Sequence, residues 1–450
     1  MIRDKSFYTA FFKMALVLIL QQVITLSVNL ADNIMIGAYS EAALAGIAAV
    51  NQVHFLFQQS TTCFGSGIVI LGSQYYGKNN LAPVKQLVSL GMWCGVAVSF
   101  LFLIATTLFP EPIVRIYVED PAIIEEGLAY LRIVRFTYLP FIITQILIAT
   151  LRGTGDVKIV VPLSLSALGI NVLANYALIY GRLGFPEMGS AGAALATLIS
   201  RLAELAILAV YVARRNRLSL RLAHFFEKIT DMRLVKDYFR VILPIFVNGF
   251  LWGLNMSCQN SILGHMSAAA IAANSVSTSL YMVLKSVPKG TQLAAEFFIG
   301  KAIGEGDDGK VTQTSRTLQV LFVAIGAASA LILLVLIRPF LAQYNLSPET
   351  MKLSSQFLIV LVLIMTPMSY QMATNGGIIS GGGDTKFLMV LDIVSIWAIV
   401  IPLSYIMAFV VKASPLVVLI CLNSDQVFKA IPAFIKANFG HWAKKLTHEG

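Results

Sequence analysis

An aspartate inside an apolar run is the first residue here whose type could do chemistry. Asp32 sits in "NLADNIMIG" (29–37), with no basic residue within four positions on either side. A carboxylate in the hydrocarbon region of a bilayer costs at least about 2.5–3.5 kcal/mol, so it persists where it meets a cavity, a cation or water. A second set of oxygen donors lies in "GINVLANYALIYG", where Asn171 and Asn175 are four residues apart and share a helix face. Thr197 offers a hydroxyl from the following apolar run. One carboxylate with neutral amide oxygens suits a hard cation, and a desolvated carboxylate also suits the capture and release of a proton. Asp32, Asn171, Asn175 and Thr197 are the candidate cation- or proton-binding set. The alternative is an interfacial Asp32 that reaches water.

A second polar stripe comprises Asn248, Trp252, Asn255 and Gln259, spaced 4, 3 and 4 apart on one helix. It reads either as polar glue between helices or as the lining of a substrate cavity, with Trp252 stacking on flat cations. Gln21 and Lys285 complete the candidate cavity set. Lys285 and Asp392 are isolated charges in apolar runs; they either pair with each other or snorkel to the inner interface. Arg201 and Glu204, one turn apart, read as a local ion pair.

Other chemistries lack their residues. The chain has no Walker A pattern, no HExxH and no GxSxG. "GEGDDG" (304–309) fits GxGxxG but follows an apolar helix and not a strand, so it fails the context a dinucleotide site needs. Four scattered cysteines and five histidines show no metal or disulfide spacing. The expectation is no catalytic residue, no cofactor, no resident metal beyond Na⁺ at Asp32, and no nucleic-acid partner.

These residues must be positioned by membrane helices. The 450 residues are 57% hydrophobic and 12% charged, about half the charge of a soluble domain. Apolar runs separated by Gly, Pro and charged breaks give twelve spans, 12–37, 44–76, 85–109, 124–150, 159–181, 189–213, 236–263, 268–299, 311–337, 350–379, 386–410 and 414–437. The basic flank before the first span is not followed by a small-residue cleavage site, so it reads as helix and not as a removable signal. The segment from Arg214 to Arg240 is strongly basic, whereas "PEPIVRIYVEDPAIIEEG" (110–127) carries five acids and one arginine. The positive-inside rule puts the first in the cytoplasm and the second outside, with both termini cytoplasmic.

The basic segment also divides a repeat. An offset of 227 pairs Leu16 with Leu243, Asn33 with Asn260, Gly37 with Gly264, and Asp32 with Gln259. An offset of 223 pairs Gly77 and Lys78 with Gly300 and Lys301; an offset of 228 pairs "RGTGD" with "SGGGD". The expected architecture is an all-α polytopic membrane protein, with an N-terminal lobe (1–213), a cytoplasmic basic linker (214–235) and a C-terminal lobe (236–450). Six helices per half is an even number, so both lobes insert the same way up. Gly153, Gly155 and Asp156, and their mates Gly381, Gly383 and Asp384, read as structural turns: glycine ends one helix and aspartate caps the next.

With those residues in place, the sequence resembles the multidrug and toxic compound extrusion (MATE) family along nearly its whole length. The likeness rests on "LADNIMIG", "YYGKNN", "IGKAIGEGD", "RGTGD", "GGGD", "GSAGAALATLISR" and "NGFLWGLN", in order within a doubled twelve-helix frame. The ending "LNSDQVFKAIPAF…WAKKLT" suggests a bacterial branch and hence the bacterial cytoplasmic (inner) membrane. The resemblance implies two pseudo-symmetric six-helix lobes around a central cavity. It implies an antiporter, acting as a monomer, that exports organic cations and amphipathic toxins in exchange for H⁺ or Na⁺. Asp32 stands at the family's helix 1 aspartate. Asn171 and Asn175 stand at its helix 5 pair, where many relatives have Asn then Asp, so this chain keeps one acid there. Val17 stands where many relatives bend at a proline, and Gly249 where they often carry a glutamate. The nearest alternative is a flippase for a lipid-linked saccharide or lipid, which needs several cationic residues in its cavity.

Overall fold

The computed structural model describes residues 1–215, 229–344 and 346–447; the middle of the expected basic linker, 216–228, lies outside them. Among the described residues there are helices and no strands. The main helices are α1 (Lys5–Tyr39), α2 (Glu41–Gly77) and α3 (Ala82–Leu108), then α4 (Pro121–Gly153), α5 (Val160–Ile179) and α6 (Gly189–Arg215). They continue with α7 (Met232–Met266), α8 (Ala268–Glu305) and α9 (Asp308–Leu341), and with α10 (Pro348–Ser380), α11 (Thr385–Val410) and α12 (Pro415–Phe439). A six-residue helix, Pro110–Arg115, precedes α4.

Ten of these helices are long and apolar enough to cross a membrane; α2 and α8, at 37 and 38 residues, are not among those ten. Their composition explains it. α2 carries Asn51, Gln52, His54, Gln58 and Gln59, and α8 carries Asn274, Ser275, Thr278, Lys285 and Lys289. These are the second helices of the two sequence repeats. The chain is a multi-pass membrane protein. The largest boundary differences are at α1, which begins at Lys5 and not at 12, and at α8, which runs to Glu305 and not to 299.

The chain forms two compact units. One comprises Leu20–Gly72 and Asn79–Phe239; the other comprises Met1–Ile19, Ser73–Lys78 and Arg240–Gly450. In the first unit, Ile36, Ile47, Val50, Leu131, Ile179 and Ala194 build a core from α1, α2, α4, α5 and α6. That core holds the C-terminal third of α1, and with it Asp32, against α5. In the second unit, Leu280, Leu333, Ile337, Leu358 and Met365 pack α8, α9 and α10 together. Two helices there depart from regular α geometry. α10 widens to π turns over Thr374–Ser380, and α11 over Ile393–Val400 and Ile406–Val410. Such widening shifts the side-chain register and recurs at functional sites.

Glycines at the ends of α2 and α8 have a packing role in the second unit. The end of α2 meets the end of α8 so closely that a Cβ on Gly304 would lie 2.0 Å from the Gln74 carbonyl oxygen, and one on Gly77 would lie 2.3 Å from that of Lys301. Because the obstructing atoms are backbone, neither side can yield by a rotamer change. Gly304→Ala is expected to separate these helix ends and lower stability by about 1–3 kcal/mol, the usual range for overpacking, read as a reduced melting temperature in detergent. "GEGDDG" is the turn that follows. Gly306 closes α8 at φ +81°, and Asp307 accepts the Lys310 N–H at 3.0 Å to open α9.

The two Gly-Asp turns form as expected, with Gly155 at φ +75° and Gly383 at φ +94°, but their aspartates do not cap the following helices. Asp156 stands ahead of the α5 N-cap, which is Ile159, and instead accepts the Tyr211 O–H at 3.2 Å. Asp384 has φ −94° and ψ 60°, outside the extended region that capping favours, and makes no cap hydrogen bond. Its two oxygens take Lys444 Nζ at 2.8 Å and Lys436 Nζ at 2.9 Å. Charge-assisted bonds of this kind outcompete a neutral backbone N–H.

Lys444 belongs to a strap that follows α12. Lys444 N–H donates to the Gly382 carbonyl at 2.8 Å, Gln74 Nε2 donates to the Lys444 carbonyl at 3.1 Å, and Leu446 N–H donates to Gln74 Oε1 at 2.9 Å. Burial works to raise the Asp384 carboxyl, but hydrogen bonds and charge from Lys444 and Lys436 outweigh it and hold it below the usual carboxylate range. A depressed folded-state pKa contributes stability that is present above the unfolded value, near 4, and is lost as pH falls through the folded one. Asp384→Asn is therefore expected to lower the melting temperature at neutral pH. The gap to the unmodified protein should close below about pH 4, in acid titrations of both proteins.

Candidate functional site

Three of the four predicted site residues come together in the first unit. Asp32 is half-buried on α1, and Asn171 and Asn175 are buried on α5. Asn175 Nδ2 donates to Asp32 Oδ1 at 2.5 Å and lies 3.3 Å from Asn171 Oδ1. The four-residue spacing on α5 stacks the amides one turn apart and aims both at α1. Asp32 has no ion-pair partner among the described residues. Arg201 acts on it electrostatically, but that guanidinium is bound to Glu204 Oε2 at 2.7 Å and lies over the Phe141 ring. Asn175 Oδ1 is buried without a hydrogen-bond donor among the described residues. A carboxylate and an unused amide oxygen thus share one apolar recess, a donor set that suits a proton or a hard monovalent cation.

Thr197 joins this cluster indirectly. Its hydroxyl donates back to the Ala193 carbonyl at 3.0 Å and meets the hydroxyl of buried Tyr130, which also senses the Asp32 charge. Sequence reasoning missed Tyr130. It sits in an ordinary amphipathic stretch of α4, and nothing in its spacing points at α1.

The predicted cavity stripe on α7 is mostly occupied within its own unit. Asn248 Nδ2 donates to Asp392 Oδ2 at 2.8 Å, and Gln259 Nε2 donates to Asn255 Oδ1 at 3.2 Å. Trp252 meets Lys285 Nζ at 5.9 Å from its ring centroid, so its cation-facing surface already has a cation. Gln21 is half-buried on α1, eleven residues before Asp32, roughly 16 Å along the helix. A shallow pocket of about 380 Å³ between α7 and α8 is lined by the uncharged residues Asn260, Asn274, Ser275, Thr278, Ser279 and Met282.

Lys285 does not pair with Asp392. Asp392 Oδ1 binds Lys429 Nζ at 2.8 Å, and the same ammonium binds Asp425 Oδ2 at 2.7 Å. Lys429 outcompetes Lys285 because α12 carries it, with Asp425 one turn before it, directly to α11. The i, i+4 Asp-Lys spacing within an apolar span was the signal available in the sequence.

A sequence model of the MatE family matches residues 18–177 and 244–406, two segments whose starts are 226 residues apart, as the internal repeat requires. The chain is 25% identical over 446 residues to the "Probable multidrug resistance protein NorM" of Thermotoga maritima, covering 97% of this chain and 94% of that one. It is 27% identical to "Probable multidrug resistance protein YoeA" of Bacillus subtilis, covering 82% and 80%. It is 21% identical to "Multidrug resistance protein MdtK" of Edwardsiella ictaluri, covering 89% and 88%. Its fold is similar to a crystal structure described as the outward-facing conformation of a multidrug resistance MATE family transporter, with TM-score 0.85, 18% identity, and 95% and 94% of the two chains covered. The fold is equally similar, at TM-score 0.86, to a MATE structure in the straight conformation. From the doubled helical frame, the family match over most of its length and these relatives, the chain belongs to the MATE family of multidrug efflux transporters, and it is a transporter and not an enzyme.

Proposed function

We propose that the protein is an antiporter that exports organic cations and amphipathic compounds in exchange for H⁺ or Na⁺, by alternating access. The observation that carries this reading is the carboxylate of Asp32, bonded to Asn175 at 2.5 Å, beside an amide oxygen that has no donor among the described residues. Asp32 takes the ion; Asn175 and Asn171 hold the carboxylate in place, and Thr197 lies behind them, against Tyr130. Ion loss admits substrate, and reloading expels it. In this reading the halves 1–213 and 236–450 are the two lobes, the protein acts as a monomer surrounded by lipid, and both termini face the cytoplasm of a bacterial inner membrane. Nucleic acid has no part in it.

Energetics constrain the coupling. One positive charge moving inward yields about 2.3 kcal/mol per 100 mV. Exchange for a monovalent cation moves no net charge, so the driving force then comes from the ion's concentration gradient, about 1.4 kcal/mol per pH unit for protons. Ethidium efflux from proteoliposomes under an imposed pH gradient, and separately under an Na⁺ gradient, tests the reading. One of the two gradients is expected to drive efflux; efflux indifferent to both would end it. A flippase for a lipid-linked saccharide needs free cationic side chains for a pyrophosphate, and Lys429 is already held by two carboxylates.

A further inference from the structure

Two carboxylates of the second unit converge on a single ammonium. Lys429 Nζ lies 2.8 Å from Asp392 Oδ1 and 2.7 Å from Asp425 Oδ2, and the lysine side chain is only 5% exposed. Neutral amides complete the surroundings. Asn248 Nδ2 donates to Asp392 Oδ2 at 2.8 Å, Gln426 Nε2 to Asp425 Oδ2 at 2.7 Å, Gln371 Nε2 to Gln426 Oε1 at 2.9 Å, and Asn375 Nδ2 to Gln371 Oε1 at 3.2 Å. Lys285 on α8 interacts electrostatically with Asp425 and Lys429, and Tyr281 with Asp425. Asp392 directly precedes the widened turns of α11, and Asn375 lies within those of α10.

Five helices therefore build an oxygen-rich pocket around a monovalent cation, and the cation is a side chain. An ammonium uses the same carboxylate oxygens that a hard cation would use. Because it is tethered, it occupies the acid pair as an intramolecular ligand, and its occupancy does not depend on the concentration of any dissolved ion. The first unit differs. Its carboxylate, Asp32, has amide neighbours and, among the described residues, no ion-pair partner.

We propose that Lys429 is a built-in counter-cation that permanently fills the acid pair of Asp392 and Asp425, so that the transporter exchanges one ion per cycle, at Asp32. This inference rests on the antiport reading above and adds its stoichiometry. Its chemical consequence is that removing the ammonium uncovers a site for a proton or Na⁺.

The test uses the full-length protein in detergent and in proteoliposomes. In an Asp32→Asn background, where the first site is closed, the melting temperature is expected to show no saturable dependence on NaCl against choline chloride. It is also expected to show no acid-induced rise. Adding Lys429→Gln should create one or the other. Ethidium exchange by the unmodified protein should depend on its coupling ion with a Hill coefficient near one, rising toward two in Lys429→Gln alone. A saturable ion response in Asp32→Asn, a Hill coefficient near two in the unmodified protein, or a folded double variant that senses no ion each overturns the proposal. Should Lys429→Gln fail to fold, Asp425→Asn leaves a neutral Asp392–Lys429 pair. It is expected to exchange ethidium with a Hill coefficient still near one, and a changed coefficient overturns the proposal. Failure of the antiport reading itself looks different: the unmodified protein then shows no ion-driven exchange at all.

Discussion

Asp32→Asn is expected to abolish ion-driven efflux while leaving a folded protein that still binds substrate. The substitution preserves shape, and the new amide oxygen still accepts from Asn175 Nδ2, which now donates at 2.5 Å to the carboxylate. Helix packing around the site is unaffected, because the Ile36, Ile47 and Leu131 core does not involve the carboxylate. What disappears is the only group of the α1–α5 cluster that can carry a negative charge, and hence the capacity to take up and release a cation. Gradient-driven ethidium efflux should fall at least tenfold, to the level of liposomes without the protein. Resistance of a hypersensitive strain should fall to that of the empty vector. Ethidium binding to the purified variant should persist. Normal efflux from a variant that reaches the membrane in normal amount would remove Asp32 from the mechanism.

The order of helices was readable because a bilayer leaves the chain little choice. Every backbone polar group must be satisfied inside its own segment, so apolar runs of sufficient length become helices. The α1–α5 pairing was readable for a related reason: a carboxylate in such a run needs a polar neighbour, and Asn171 and Asn175 supply one at helical spacing. The Lys429 triad was not read, although Asp425 and Lys429 are one turn apart. That spacing within an apolar span implies a local pair and nothing more, and only the approach of α11 brings Asp392 to the same ammonium. For the aspartates of the Gly-Asp turns, the sequence suggests a local role as caps. Asp384 is claimed instead by Lys444, sixty residues away in sequence, and local propensity carries no information about such a partner. Likewise, Gly77 marks a repeat in the sequence and Gly304 opens "GEGDDG", but the need for both comes from two helix ends meeting at backbone contact.

Asn175→Asp should convert the site into one that demands a cation. Asn175 now places an N–H donor against Asp32 Oδ1 at 2.5 Å, and its own Oδ1 has no donor among the described residues. A carboxylate at 175 replaces that donor with an acceptor, so two acids face each other at contact distance in an apolar recess. Two carboxylates this close do not both ionise unaided; they share a proton or hold a cation between them. With Asn171 Oδ1 adjacent, at 3.3 Å from the Asn175 amide nitrogen, the pair has the oxygen ligands that Na⁺ prefers. The expected result is a melting temperature that rises with NaCl but not with choline chloride. Ligand linkage sets the size, about 2.7 kcal/mol of stabilisation when Na⁺ reaches a hundred times its dissociation constant. Ethidium efflux by the variant should become steeply dependent on an Na⁺ gradient. The unmodified protein, with its single acid, should show a much weaker Na⁺ response in the same assays. If the folded variant melts at the same temperature in both salts at every pH from 6 to 8, the α1–α5 recess does not hold a cation, and Asp32 acts there only through a proton.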